Sequence, residues 1–441
     1  MTEDCGCDDS AASDGAGGEP IDADRVDAYA DGVSRRRLIR SSLAAGTAGA
    51  AASTAGCTGL TGGNGGDGGP KTVFVFNTAD KTVSIIDAAT DELLASPYLG
   101  ATASFPSNQW TPSLLDSETG SLWLDVKGGV KAVDPTDLSD LTTYDTGTGK
   151  NWQELTPDGS SLVVSAREPA HTQYRIDADT TSDTFGEVTA ELDRSDEVDN
   201  EKGGPGPCDI TVGPDGKYAY VPDIFSDTLT VLDVPSFEIV AQPSVDPVGE
   251  ADSVRPWMGT VSWDGSLLTV ENNEGDHGTE SIWDVSDPEN PTELVRLTAD
   301  DDLGGLPLTS EITPDNSTAY VFTPSSKDVT VVDLQNREVT GRIDLGGKAF
   351  VGTWGPSREK LYVPVMSSNE VKVIEAGASE VSTTVGVGAK PYGATAGRVR
   401  PQVDGMEQVR GALASLGLQV GNAETTYCVG ECACGFEPRS T

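Results

Sequence analysis

The sequence predicts an all-β fold, a seven-bladed β-propeller whose first blade is completed by an inner strand from the C-terminal end of the domain. A short helix and a Cys-rich tail follow. Two observations carry the prediction. The first is a degenerate repeat of roughly 40–55 residues, the length of one propeller blade. Its best copies are "CDITVGPDGKYAYVPDIFSDTLTVLDVPSFEIVAQ" from Cys208 and "TSEITPDNSTAYVFTPSSKDVTVVDLQNREVTGRIDLG" from Thr309, with a weaker copy from Trp257. Each reads as a short apolar strand, a Pro-Asp-Gly-like turn, an alternating strand such as Tyr218-Ala219-Tyr220-Val221, and a strand ending in Asp such as Thr230-Val231-Leu232-Asp233. A last strand, Glu238 to Ala241, closes the unit. Period-2 alternation between turn residues at fixed offsets is the mark of strands. The second observation is a split unit. Lys71 to Ser96 supplies strands two to four of a blade, and the missing inner strand is Tyr392 to Val399, which leaves no free sheet edge.

Taken in chain order, residues 1–56 form a leader. Ser34-Arg35-Arg36-Arg37-Leu38-Ile39-Arg40 resembles a twin-arginine export signal, with Arg35 and Arg36 as its pair. The uncharged run that follows is too short and too weakly apolar to span a membrane, which takes roughly 20 residues. It ends in Thr54-Ala55-Gly56-Cys57, which resembles a lipobox and makes Cys57 the expected site of acylation. Residues 57–70 are a Gly-rich tether, whose flexible part spans only about 20 Å r.m.s.. Within the propeller, residues 71–400, the inner strands are expected to start near Gln109, Asn151, Cys208, Trp257, Leu308, Phe350 and Tyr392. The blade around Phe105 to Thr146 matches the repeat worst, which leaves six or eight blades open. In residues 401–441, Met406, Val409, Leu413, Leu416 and Leu418 mark an amphipathic helix, expected to pack its apolar side on the propeller.

Charge narrows the setting. Against 71 acidic residues stand 29 basic ones, a formal charge of −42. Such a surface repels phosphate backbones, so nucleic acid is excluded as a partner. Acidic residues spread over turns and loops, with lysine scarce, resemble the proteins of a halophilic archaeon. The expected location is the outer face of the cytoplasmic membrane, reached by the twin-arginine route and held by the Cys57 lipid.

The repeats resemble the YVTN/YncE-type propellers and, more distantly, the propeller domain of cytochrome cd1 nitrite reductase. The resemblance covers residues 71–400 and implies the fold. Its members include adhesins, lactonases and haem enzymes, so function must be argued from particular residues.

Three sets of residues could carry chemistry. Cys428, Cys432 and Cys434 place three thiols within seven residues, enough for disulfides or for a soft-metal site holding Cu or Zn, with Cys208 a candidate fourth member. Cys208 should lie on the face opposite the tail, which makes that meeting awkward. Cys208, Trp257, Phe350 and Tyr392, with Trp152 beside them, fall at the channel rim, where aromatics could stack on a flat ligand or plug the channel. His171 and His277 lie in loops between the second and third strands of their blades. Either could ligate haem or metal, but neither sits in a diagnostic motif, haem d1 is not expected, and a lone loop histidine is ordinarily solvated. No Walker motif, nucleophile elbow or Ser/His/Asp spacing is evident, and no catalytic residue is assigned.

These observations favour a lipid-anchored extracellular scaffold that binds a protein or small molecule and does no chemistry itself. One alternative is a metal- or haem-associated electron-transfer accessory protein using the cysteine cluster. A lactonase-like hydrolase, which would need carboxylates converging at the channel, comes last.

Overall fold

The computed structural model describes residues 69–100, 120–418 and 420. Seven sheets make the seven blades, each a meander of antiparallel strands. Blade 1 holds β1 (Thr72–Asn77), β2 (Thr82–Asp87) and β3 (Glu92–Ala95), and its inner strand is β27 (Pro391–Gly397). Blade 2 has β4 (Leu122–Val126), β5 (Gly129–Val133) and β6 (Asp140–Asp145). The inner strand expected near Gln109 lies outside the described residues. Blade 3 runs β7 (Asn151–Leu155), β8 (Ser161–Ala166), β9 (Thr172–Asp177), β10 (Val188–Asp193). Blade 4 runs β11 (Thr211–Val212), β12 (Tyr218–Asp223), β13 (Thr228–Asp233), β14 (Glu238–Ala241). Blade 5 has β15 (Pro256–Val261), β16 (Leu267–Asn272), β17 (Thr279–Asp284) and β18 (Thr292–Leu297). Blade 6 has β19 (Ser310–Ile312), β20 (Thr318–Thr323), β21 (Asp328–Asp333) and β22 (Glu338–Asp344). Blade 7 has β23 (Thr353–Trp354), β24 (Lys360–Val365), β25 (Glu370–Glu375) and β26 (Thr383–Gly386).

The split blade closes as the sequence predicts. β1 pairs with β27, Thr72 opposite Gly397 and Val75 opposite Ala394. The chain therefore enters and leaves the domain at the same end of this sheet, opposite the end where the inner strands begin.

Local chemistry explains the repeat. In the turns after the inner strands, Asp158, Asp215, Asp264 and Asp315 each accept a backbone N–H two residues on, at 2.9–3.1 Å. Hydrogen bonds from Thr156 and Ser160, outweighing partial burial, hold the Asp158 carboxyl below its ordinary range. The Asp residues closing the third strands, such as Asp87, Asp233 and Asp333, repeat the device at the next turn. The same residue type that makes the protein acidic thus shapes its turns.

Each sheet is covered on both faces by its neighbours, so apolar residues sort into wedges between blades. Val163, Val212 and Val221 fill the wedge between blades 3 and 4. Tyr220, Leu268 and Trp283 fill that between blades 4 and 5. Ile282, Ile312 and Val332 fill that between blades 5 and 6. One ion cluster also joins blades 3 and 4. The Arg194 side chain is 1% exposed and reaches Asp223 through two nitrogens at 2.8 and 2.9 Å, while its Nε meets Glu197.

The helix α1 (Gly405–Ser415) corrects the sequence reading. It docks through its small residues, Gly411 and Ala414. Met406 (59% exposed), Val409, Leu413, Leu416 and Leu418 face outward instead. Close approach decides this. A Cβ on Gly411 would stand 2.1 Å from the Ser96 carbonyl oxygen, and only that proximity lets the Tyr98 N–H donate to the Glu407 carbonyl at 3.1 Å. Among the described residues no helix is long and apolar enough to cross a membrane.

Candidate functional site

At the end of the channel where the inner strands begin, the predicted rim residues come together. Cys208, Trp257, Leu308, Phe350 and Tyr392 are buried in one apolar cluster, with Met258, Val351 and Met366 filling gaps and Trp152 packed against it. Phe350 and Tyr392 stack with centroids 5.3 Å apart. Trp257 is fully buried and donates its Nε1–H to the Pro307 carbonyl at 3.0 Å. The Cys208 sulfur accepts from Arg167 Nη1 at 3.5 Å. Asn151 turns to blade 2, where its amide reaches Asp125 and accepts from Thr146. These side chains form a plug, the second of the two arrangements open to them from the sequence.

Both histidines hold loops. His171 is 1% exposed rather than solvated, with Nε2 2.8 Å from the Lys202 carbonyl and Nδ1 3.1 Å from the Gly206 N–H. The carbonyl needs a donor and the amide an acceptor, so Nε2 donates and Nδ1 accepts. His277 repeats the device one blade pair on, with Nε2 2.8 Å from the Leu303 carbonyl. Each pins the segment that leads into the next inner strand, and a metal at either ring would have to displace a structural bond. Cys57, Arg35, Arg36, Cys428, Cys432 and Cys434 lie outside the described residues.

Below the plug the channel turns acidic. Glu154, Asp209 and Glu311, from the inner segments of blades 3, 4 and 6, line one cavity of ≈ 20 Å³. All three are buried. A space of that size holds about one water. The inner strand is the open edge of each sheet, so its N–H groups need partners from elsewhere. Glu154 accepts the Val212 N–H at 2.6 Å and Asp209 accepts the Gly259 N–H at 2.8 Å. Thr260 and Thr309 continue the series by donating to the Ser310 and Phe350 carbonyls, each at 2.8 Å. One side-chain bond after another thus ties blade 3 to blade 4, and so on to blade 7.

Burial pushes the Glu154 carboxyl well above the ordinary glutamate range, with Asp209 and Glu311 adding to it and the Val212 N–H opposing. Behind the chamber wall, in blade 5, burial raises Glu271 to about 8. Its cross-strand partner Glu280 is also raised well above the ordinary range, first by burial and then by Glu271, against the pull of Arg296. Sequence reasoning missed this set. The available signal was an acidic residue inside a strand that the repeat makes shortest and most apolar, in "NWQEL", "CDITV" and "TSEIT".

No protein-family model matches the sequence, and no curated protein matches it either. Solved structures do match its fold. A functionally unknown protein from Desulfotomaculum acetoxidans is 15% identical with a TM-score of 0.57, over 75% of this chain and 100% of its own. The periplasmic gluconolactonase of Pseudomonas aeruginosa is 15% identical at a TM-score of 0.56, over 74% and 98%. Hydrazine synthase of Kuenenia stuttgartiensis follows at 15% and 0.52, over 73% and 99%. At such identities, proteins with unrelated chemistry share only the architecture, and the chain is to this extent similar to them: a seven-bladed β-propeller.

Proposed function

We propose that this protein is an exported, lipid-tethered binding propeller whose ligand seat is the acidic chamber rather than the aromatic rim. One observation carries the reading: three carboxylates from three blades surround a polar recess, while the rim aromatics are consumed in the plug. A ligand suited to that seat is small and presents hydrogen-bond donors or positive charge, which buried carboxylates favour. The tether supports display outside the cell, with the acidic surface keeping the molecule soluble in concentrated salt.

Two measurements test this. Thermal shift with a panel of amines, polyols and metal ions should find a stabilising probe whose effect is lost in Glu311→Gln. A probe whose effect survives that substitution would move the seat elsewhere. Cys57→Ser should transfer the protein from the membrane fraction to the medium. Retention in the membrane would remove the lipid anchor from the proposal.

A second reading is lactone hydrolysis. Burial raises the Glu154 carboxyl well above the ordinary glutamate range beside Asp209, a pairing suited to proton transfer at a ring ester. Turnover of a gluconolactone, abolished by Glu154→Gln, would establish it. An inactive protein would leave the binding role.

A further inference from the structure

The turns that follow the inner strands keep one pattern through most of the ring. Thr156-Pro157-Asp158-Gly159, Gly213-Pro214-Asp215-Gly216 and Thr313-Pro314-Asp315-Asn316 hold it in blades 3, 4 and 6. Blade 5 puts Trp263 in the place of the proline, in Ser262-Trp263-Asp264-Gly265. Blade 7 reads Gly355-Pro356-Ser357-Arg358, so the turn carboxylate is missing and an arginine takes the last place. That place needs a left-handed backbone, with φ of 73° at Gly159, 59° at Asn316 and 61° at Arg358. Glycine and asparagine enter this region most readily, so Arg358 stands there against local preference. These two departures from the repeat meet. The Arg358 guanidinium lies over the Trp263 ring, 4.3 Å from its centroid. The indole is itself held, its backbone N–H donating to Asn316 Oδ1 at 2.7 Å and its Nε1–H to the Ile312 carbonyl at 2.9 Å.

Among the described residues the Arg358 guanidinium forms no hydrogen bond or ion pair, in a chain with 71 acidic residues against 29 basic ones. The carboxylates of the neighbouring turns, Asp264 and Asp315, are engaged by Ser266 and Ser317 instead. The charge that does act on Arg358 is another cation. Arg398 follows β27 in blade 1, at the same end of the channel. Burial, and then the Arg398 charge, hold the Arg358 guanidinium below its ordinary range, and an anion would relieve both. A cation–π contact gives the guanidinium N–H groups no oxygen acceptor, and the fork they form fits two oxygens of a carboxylate or phosphate. We propose that the end of the channel opposite the plug holds an oxyanion site, in which Arg358, positioned by Trp263, receives the carboxylate or phosphate group of a small soluble ligand. A bilayer headgroup offers the same chemistry, but an anionic lipid surface is repelled by a chain of charge −42. The site is separate from the acidic chamber and does not depend on it.

The test is calorimetric titration of the full chain with potassium phosphate and with potassium acetate, in the lowest KCl concentration that keeps it folded. At least one of these probes should fill a single saturable site per chain. Arg358→Asn installs the residue that blade 6 uses at this turn, and it should weaken binding by about tenfold or more. Its melting midpoint should hold or rise, since the strained arginine and its like-charged neighbour are then parted. Arg358→Lys keeps the charge without the fork and should also bind more weakly at an unchanged midpoint, which preserves the test if the asparagine variant does not fold. No saturable site in the wild-type chain with either probe, or a site whose affinity is unchanged in these variants, overturns the proposal. A lowered midpoint in Arg358→Asn with binding unchanged would make Arg358 a cover for Trp263 and overturn it as well. Sedimentation with phosphatidylglycerol vesicles, lost in Arg358→Asn, would overturn the soluble ligand alone.

Discussion

Glu271 shows how a single side chain can set a pH dependence for the whole molecule. Its carboxyl is raised by burial to about 8 in the fold, against an ordinary value of 4.5. Between those values the folded chain keeps a proton that the unfolded chain has lost. The resulting stabilisation is complete below about pH 4.5 and is lost as pH rises towards 8. Glu271→Gln should therefore flatten the fall in stability over that window and leave the variant more stable above it by roughly a few kcal/mol. Melting curves across the window, at constant salt, would check this, and an unchanged slope would assign the dependence to other groups. None of this was legible in "LLTVENN", where Glu271 reads as a solvent-facing residue near a strand end. Alternation tells which residues share a face. In a propeller both faces of the blade are covered, so it cannot tell which face meets water.

At the scale of the element, strands were more legible than their surroundings. The six inner strands among the described residues begin within a few residues of the expected positions because turn chemistry fixes them locally. The role of the residues at those positions was not fixed locally, since plugging or lining depends on channel width. Trp257 makes the difference measurable. As a fully buried member of the plug, Trp257→Ala should destabilise the fold by about 3–5 kcal/mol, seen as a lower midpoint in denaturant. A variant as stable as the wild type would return Trp257 to the rim. The blade 3–blade 4 junction gives a second case. Arg194→Ala would leave Asp223, fully buried, without its guanidinium, and a loss of about 3–5 kcal/mol is expected. Asp223→Asn combined with Arg194→Ala should lose less, because the carboxylate then left without its guanidinium, Glu197, is partly exposed rather than fully buried. The helix was found at the right place and turned the wrong way. A hydrophobic stripe predicts the buried side when burial is what docks a helix, whereas here a glycine contact with the Ser96 backbone does so.

For the molecule as a whole, the period of the repeat and the split first blade sufficed to give the ring. Both are consequences of strand length and edge pairing, which sequence records directly. The acidic chamber is assembled from segments roughly 50 and 100 residues apart, Glu154, Asp209 and Glu311, and only closure of the ring brings them to one cavity. Removing residues 391–397 should therefore cost more than one strand. Blade 1 would lose its inner edge, the inter-blade wedge holding Ala394 and Ala396 would open, and unfolding should cease to be a single cooperative transition. Calorimetry of the truncated chain would show this as a broadened or divided peak, and a sharp wild-type-like peak would mean that the ring holds without its clasp.

The pairing of β1 with β27 also has a temporal side. The two strands are more than 300 residues apart, so the first blade stays unfinished until nearly the whole propeller has left the ribosome. At an elongation rate of about 5–20 residues per second, β1 waits on the order of tens of seconds for its mate, exposing a strand edge throughout. A nascent chain of this design has the most to gain from a chaperone that shields its first blade, and the least to gain from a secretion machine that threads it before synthesis ends.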